Sequence, residues 1–275
     1  MVTAEHYGPI EALHQGRTLL GFLPPYMQVR CYAVDGLLID SGLSCFVAEV
    51  LEWAKERRVE QAVVTHHHED HSGGAMGLQK AGVVVRASAR TREWMRQGFS
   101  LRLYQKVVWS PAPRGELSPL PPILETARHR FQIIPAPGHC EDQIVLYEPA
   151  QGWLFSGDAF LARRVKYFRA DEDFGAMLGS LETLCSLEFD ALFCAHHPVL
   201  TGGRESLRGK LQYLRDLEGR VRELHQRGWS VGAIRRRLLG AEPWLLYLGT
   251  AGDVSKGNVI RSILHGPTAR RDSPP

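Results

Sequence analysis

Six consecutive residues, His66-His67-His68-Glu69-Asp70-His71, place four imidazoles and two carboxylates between the run Ala62-Val63-Val64-Thr65 and the glycine pair of Ser72-Gly73-Gly74. The apolar run reads as a buried strand, so this polar cluster falls where a strand runs out into a loop. In extended chain, residues i and i+2 project to the same side, so His66 and His68 can reach one cation. Asp70 and His71 follow one turn later, where they can serve a second cation at the ~3.5–4 Å separation of two-metal sites. The glycines let the backbone pass close by and start a helix. The plain alternatives are a solvated loop or an expression-tag remnant. A tag, however, would be terminal and purely histidine, whereas this stretch is internal, follows a strand and carries an Asp at fixed spacing.

His66, His68, Asp70 and His71 match without a gap the His-x-His-x-Asp-His signature of the metallo-β-lactamase superfamily, which this chain resembles. Other stretches follow in that family's order. Asp40-Ser41-Gly42 is similar to its Asp-Thr/Ser-Gly element, whose Asp supports the metal loop; taken alone, Asp40 is equally well a turn or cap residue. Pro137-Gly138 sets up a tight turn that presents His139, and the resemblance makes His139 the third ligand of the first metal. Cys140 stands where the family usually has Ser or Thr. A thiolate near a cation is activated, but a small buried residue is the favoured reading. Gly157-Asp158 resembles the family's bridging carboxylate. Ala195-His196-His197-Pro198 resembles its Gly-His-Gly motif with both glycines replaced; alignment on the preceding strand and on Pro198-Val199 selects His196 as ligand and leaves His197 lining the pocket. The resemblance thus implies His66, His68 and His139 for one metal, Asp70, His71 and His196 for the other, and Asp158 between them. Three imidazoles plus carboxylates suit two zinc ions, with iron or manganese left open.

The rest of the chain reads as α/β. Strands are expected over 18–22, 29–34 and 37–40, the last two joined by the hairpin turn Asp35-Gly36. Ser44 is placed to cap a helix running to about Arg58. A helix over 74–80, a strand over 83–85 and a helix from Ser88 through Met95 continue the alternation. From Gly98 to Pro122 the pattern dissolves, as in a connecting loop or a lid. Strands return at 131–134, 143–147, 153–155 and 189–194, with a helix over 174–187. Beyond Gly202-Gly203 the chain turns helical: Leu207, Leu211, Leu214, Leu217, Val221 and Leu224 form a stripe, and Ser230 and Ser255 introduce further helices. The expected fold is a metallo-β-lactamase-like αββα sandwich of two mixed sheets over residues 1–203, with a helical extension over 204–275.

Composition narrows the function classes. No apolar run approaches the ~18 residues of a membrane span, and Met1-Val2-Thr3-Ala4-Glu5-His6 lacks a charged-then-apolar leader. Five scattered cysteines without a Cys-x-x-Cys pair fit reduced thiols, and a cytoplasmic setting is expected. Between Arg204 and Arg237 ten Lys/Arg stand against four Asp/Glu. Such a surface could hold nucleic acid, but a stripe packed on the main body or on a second subunit, with arginines left in solvent, is favoured. The resemblance implies a binuclear metal-dependent hydrolase in which an activated hydroxide attacks a small-molecule ester, thioester or lactone, with Asp70 holding the hydroxide and relaying its proton. Tyr104, Trp109, Tyr167 and Phe168 are expected pocket walls. A phosphodiesterase or ribonuclease, and a catalytically quiet binding or regulatory protein, are the alternatives.

Overall fold

The structure, a computed structural model, describes residues 1–18, 25 and 27–267. The strand expected over 18–22 and the tail from Arg270 therefore fall largely or wholly outside the described residues.

Two mixed sheets face each other. The first runs β1 (Val2–Tyr7), β2 (Ile10–Gln15), β3 (Val29–Val34), β4 (Leu37–Ile39), β5 (Gln61–Val64), β6 (Val84–Ala87) and β7 (Ser118–Pro119) in spatial order, antiparallel to β4 and parallel thereafter. The second is ordered β12 (Ala191–Cys194), β11 (Trp153–Gly157), β10 (Ile144–Glu148), β9 (Arg130–Pro135) and β8 (Ile123–Glu125), with β11 and β12 parallel and the rest antiparallel.

Side chains that alternate along each strand divide the core into three layers. Between the sheets, Ile10, Tyr32, Ile39 and Val63 meet Phe131, Leu146, Phe155 and Phe193. On the outer face of the first sheet, Leu38, Ala62, Val64 and Val85 pack against Val50 and Trp53 of α1 (Val47–Glu56), Leu78 of α3 (Ala75–Lys80) and Met95 of α4 (Ala89–Gln97). A one-turn α2 (Glu69–Ser72) precedes α3. On the outer face of the second sheet, Val145, Leu154 and Leu192 pack against α6 (Phe174–Cys185), α7 (Gly203–Gln226), α8 (Val231–Leu239) and α10 (Lys256–His265).

The leucine stripe of α7 therefore joins the outer layer of the sandwich: Leu207, Leu211, Leu214, Leu217 and Val221 are buried in one cluster with α6. Each such side chain contributes about 1.5–3 kcal/mol when fully buried, which fixes the rotation of the helix. Several outward arginines are engaged with acids of the chain, Arg204 with Glu188, Arg215 with Glu182, Arg222 with Glu218 and Arg227 with Glu223.

Two local expectations are corrected, and two further features appear that were not expected. β1 and β2 form an unexpected hairpin, because the alternation in β1 is half exposed and gives a weak apolar signal. Ser44 does not cap α1; it opens a 3-10 turn and its hydroxyl bonds Pro111 O and pairs with Ser110. The 98–122 stretch contains α5 (Leu103–Val108) as well as β7. Finally, α9 (Trp244–Gly249) was not expected; it leaves Trp244, Leu245 and Leu248 exposed, so periodic burial could not announce it.

Candidate metal centre

One end of the sandwich collects the polar loops. Asp40 directly follows β4, Thr65-His66 follow β5, the turn carrying His139 follows β9, Asp158 directly follows β11, and His196 lies two residues beyond β12. The glycines of the motif make the approach feasible. A Cβ on Gly73 would meet Ser44 N at 2.4 Å, and one on Gly138, whose φ is +141°, would strike the Met177 backbone at 2.5 Å.

Three imidazoles converge on one point. His66 Nε2 lies 2.9 Å from His68 Nδ1, and His139 Nε2 lies 3.0 Å from that same atom. Beside them, His71 Nε2 and His196 Nε2 lie 3.6 and 4.0 Å from Asp70 Oδ2. Asp158 stands between the two sets: Oδ2 faces His139 Nε2 at 3.4 Å, while Oδ1 faces His71 Nε2 at 3.4 Å and His196 Nε2 at 3.5 Å. All seven expected residues are brought together.

Other groups orient these side chains. Asp40, held at φ +61°, accepts the Thr65 amide on Oδ1 at 2.8 Å and faces His71 Nδ1 with Oδ2 at 2.7 Å. This fixes which imidazole nitrogen of His71 turns to the centre. His196 Nδ1 bonds the Gln28 carbonyl. His197 is exposed, lines the cavity, and its amide donates to Cys194 Sγ at 3.0 Å. Cys140 is buried, and its sulfur falls among the atoms of His66 and His68 that could share an ion. Burial and Asp142 push its thiol well above the usual range, which fits the small buried residue expected of it.

The electrostatics suit a cation. Burial drives His66 and His68 well below the usual imidazole range, leaving the neutral, lone-pair form that ligates. For His71, burial acts the same way but is outweighed by Asp40, Asp70 and Asp158, so its pKa rises well above normal. Burial would raise Asp158, yet His196 and His71 hold it well below the carboxylate range. Asp70 is raised, chiefly by burial. The carboxylates that hold protons on these imidazoles would attract a cation in their place. Among the described residues, buried His71 Nε2 and Asp158 Oδ1 have no hydrogen-bond partner, and two orphaned polar atoms turned toward one point fit a metal.

Sequence reasoning missed several neighbours. Arg169 Nη1 sits 2.9 Å from His68 Nε2, and Glu172 Oε1 lies 3.7 Å from His139 Nδ1. Their loop is held by the C-terminal helices: Phe168 and Ser255 exchange backbone hydrogen bonds at 3.1 and 2.9 Å, and Ser262 Oγ donates to Glu172 O at 2.9 Å. Glu69 is buried with its carboxyl pushed up to about 7 by burial and by Asp70. Lys210, on the buried face of α7, donates to Ala159 O at 2.7 Å. Of these, Glu69 and Lys210 carried a readable signal, one inside the motif and the other a charge within the leucine stripe.

A cavity of about 520 Å³ opens on the centre, lined by His139, Asp158 and His196 and by Tyr167 and Phe168, as expected for the last two. Tyr104 and Trp109 are not on its wall. Tyr104 donates to Asp253 Oδ2 at 2.7 Å, tying α5 to the C-terminal segment. Trp109 is buried with Val29, Leu43 and Ala195, its ring 6.1 Å from that of His196. Both aromatics are occupied by packing of the chain on itself.

Comparison with known proteins agrees with this geometry. The chain is 28% identical over 180 residues to a hydroxyacylglutathione hydrolase of Methylobacillus flagellatus, covering 65% of this chain and 64% of that protein. It is 29% identical over 181 residues to the one of Nitrosomonas eutropha, covering 61% and 59%. The chain thus spans about three fifths of the length of these relatives. Among solved structures, a beta-lactamase domain protein from Burkholderia ambifaria superposes with a TM-score of 0.67 at 18% identity, over 96% of this chain and 88% of that one. A metallo-beta-lactamase from Pontibacter korlensis gives 0.60 at 20% identity, over 78% and 100%. The family model of the metallo-beta-lactamase superfamily matches residues 25–217, the span that carries both sheets' central strands and every converging side chain. Motif order, αββα layering and this match together place the chain in the metallo-β-lactamase superfamily.

Proposed function

We propose that the protein is a binuclear metal-dependent hydrolase of small-molecule acyl compounds, thioesters first, with esters and lactones in the same class. The observation that carries this reading is Asp158, one oxygen turned to each of two sets of ligand atoms. His66, His68 and His139 would hold one ion and Asp70, His71 and His196 the other, with zinc favoured by the imidazole-rich donor set. When bound, such ions acidify a water and polarise the substrate's acyl oxygen.

The chain's own residues supply the rest. Asp70, whose carboxyl is raised by burial, takes the proton of the attacking water on Oδ2 and passes it toward the leaving group. Asp40 keeps His71 in the tautomer that turns Nε2 inward. Phe168 and Tyr167 give the cavity an apolar wall that limits water around the acyl group. The sequence similarity to hydroxyacylglutathione hydrolases supports thioesters ahead of the other members of the class. All five cysteines are unpaired, which supports a cytoplasmic setting. Among the described residues no helix is long and apolar enough to cross a membrane.

The test is to load the protein with zinc and assay thioesters, lactones, aryl phosphodiesters and RNA side by side, with elemental analysis of the same sample. Turnover of thioesters with two metal equivalents per chain is expected. Turnover of RNA or phosphodiesters alone would replace this reading with a nuclease, and two bound metals with no turnover would favour a binding protein.

A further inference from the structure

Lys210 is an anomaly in its helix. It occupies the apolar stripe of α7 beside Leu207, Leu211 and Leu214, and is 2% exposed. Burying an ammonium is costly unless it is paired, yet no carboxylate among the described residues forms an ion pair with it. One of its three N–H donors goes to Ala159 O, the residue after the bridging Asp158. A neutral donor would serve that bond as well.

Lys210 also lines the cavity that opens on the metal centre, together with His139, Asp158 and Glu172. The same cavity has Arg164 and Lys166 farther out, both exposed. Cationic groups therefore occur at two depths. An acyl carbon at His139, Asp158 and His196 would have its acyl group toward the buried Lys210 and its leaving group toward the exposed Arg164 and Lys166. Burial lowers the ammonium to about 8, and the nearby charges of Glu172 and Asp158 act against that.

We infer, on the basis of the hydrolase reading above, that Lys210 binds substrate: its ammonium takes a carboxylate at the end of the acyl chain and selects thioesters of dicarboxylic half-acids over those of plain fatty acids. Hydrolysis then adds water across the C–S bond: the oxygen joins the acyl carbon, one proton goes to the departing sulfur and the other is released to solvent, giving a dicarboxylate, a free thiol and a proton. The carboxylate completes the hydrogen bonding of the buried ammonium, which an alkyl chain cannot do.

The experiment compares succinyl and butyryl thioesters of one small thiol, N-acetylcysteamine, on the zinc-loaded full chain. Wild type is expected to favour the succinyl compound in kcat/KM by roughly ten- to a hundredfold, the range of a charge-assisted hydrogen bond. Lys210→Met should bring that ratio to about one, and Lys210→Arg should keep part of it. A wild type without preference, or a Lys210→Met variant that lowers both substrates in equal proportion, overturns the inference, since a merely structural lysine gives that result. Calorimetric titration with succinate gives a readout independent of turnover: binding lost in Lys210→Met supports the site, and equal binding in both proteins refutes it. If no thioester is cleaved while succinate binding still depends on Lys210, the hydrolase reading fails and the carboxylate site stands. If Lys210→Met does not fold, Lys210→Arg in the same two measurements decides, an unchanged substrate ratio together with unchanged succinate affinity counting against the proposal.

Discussion

His66 and His67 are neighbours in sequence, both buried, both near a buried Asp, and they belong to two different kinds of cluster. His66 points with His68 and His139 at a shared point where Nε2 and Nδ1 atoms face each other. His67 points the other way along the strand exit. Its Nδ1 and backbone amide meet the two oxygens of Asp142 at 2.9 and 2.8 Å, Thr91 donates to the same carboxylate at 2.8 Å, and the ring packs edge-on to Trp94 at 3.9 Å. His67, Cys140 and Asp142 lie close enough together to hold an ion, so composition and proximity do not separate the clusters. Pairing of the carboxylate does: both oxygens of Asp142 accept hydrogen bonds, from His67 and Thr91, whereas Asp158 Oδ1 faces two imidazoles at 3.4 and 3.5 Å and, among the described residues, has no hydrogen-bond partner. A polar group left unpaired inside a protein costs stability, and it persists where a ligand supplies the missing partner.

The comparison breaks most visibly through turnover. Asp70→Asn keeps the shape of the convergent cluster and removes the proton acceptor, so the fully metallated variant should lose at least about a hundredfold in kcat, the scale of general acid–base catalysis. Turnover near wild type at full metal occupancy would remove Asp70 from the proton path. His196→Ala should empty one of the two metal positions by elemental analysis; full occupancy there would mean that the motif is misaligned by one residue.

The paired His67–Asp142 cluster should answer in stability. His67→Ala leaves Asp142 buried and uncompensated, a loss of about 3–5 kcal/mol in chemical denaturation, with metal content retained. Loss of metal without loss of stability would merge the two clusters into one. The pH dependence sharpens this. Burial would raise the Asp142 carboxyl, but His67 outweighs it and holds the group below the usual range. Its contribution is therefore present above about pH 4, the unfolded value, and is lost as pH falls through the lowered folded value. Asp142→Asn should flatten that acid slope, and an unchanged slope would show that other carboxylates set it. The smallest effect is expected at His197, which is exposed and orients no ligand: His197→Ala should leave metal content intact and stability within about 0.5 kcal/mol.

The motif itself was legible from sequence because its geometry is local. A strand exit sets the i, i+2 relation of His66 and His68, and the one-turn helix after it sets Asp70 and His71. Asp40, His139, Asp158 and His196 were legible through order along the chain, each at the end of a recognisable strand. Local pattern also placed the paired strands β3 and β4 and the stripe of α7.

What sequence could not show is which of several eligible polar groups is used up by another. His67 looks as much like a ligand as His66 until Asp142, 75 positions away, is seen to hold it. Arg169 reaches His68 across 101 positions, and Ser262 reaches Glu172 across 90. Tyr104 was expected in the pocket and is taken by Asp253 instead. These pairings depend on how the outer helices pack on the second sheet, a matter of side-chain volume and rotation that periodicity does not encode. The sequence determined the candidate ligand set and the strand ends that present it; tertiary packing decided which buried charges were matched and which, like Lys210, were left lining the cavity.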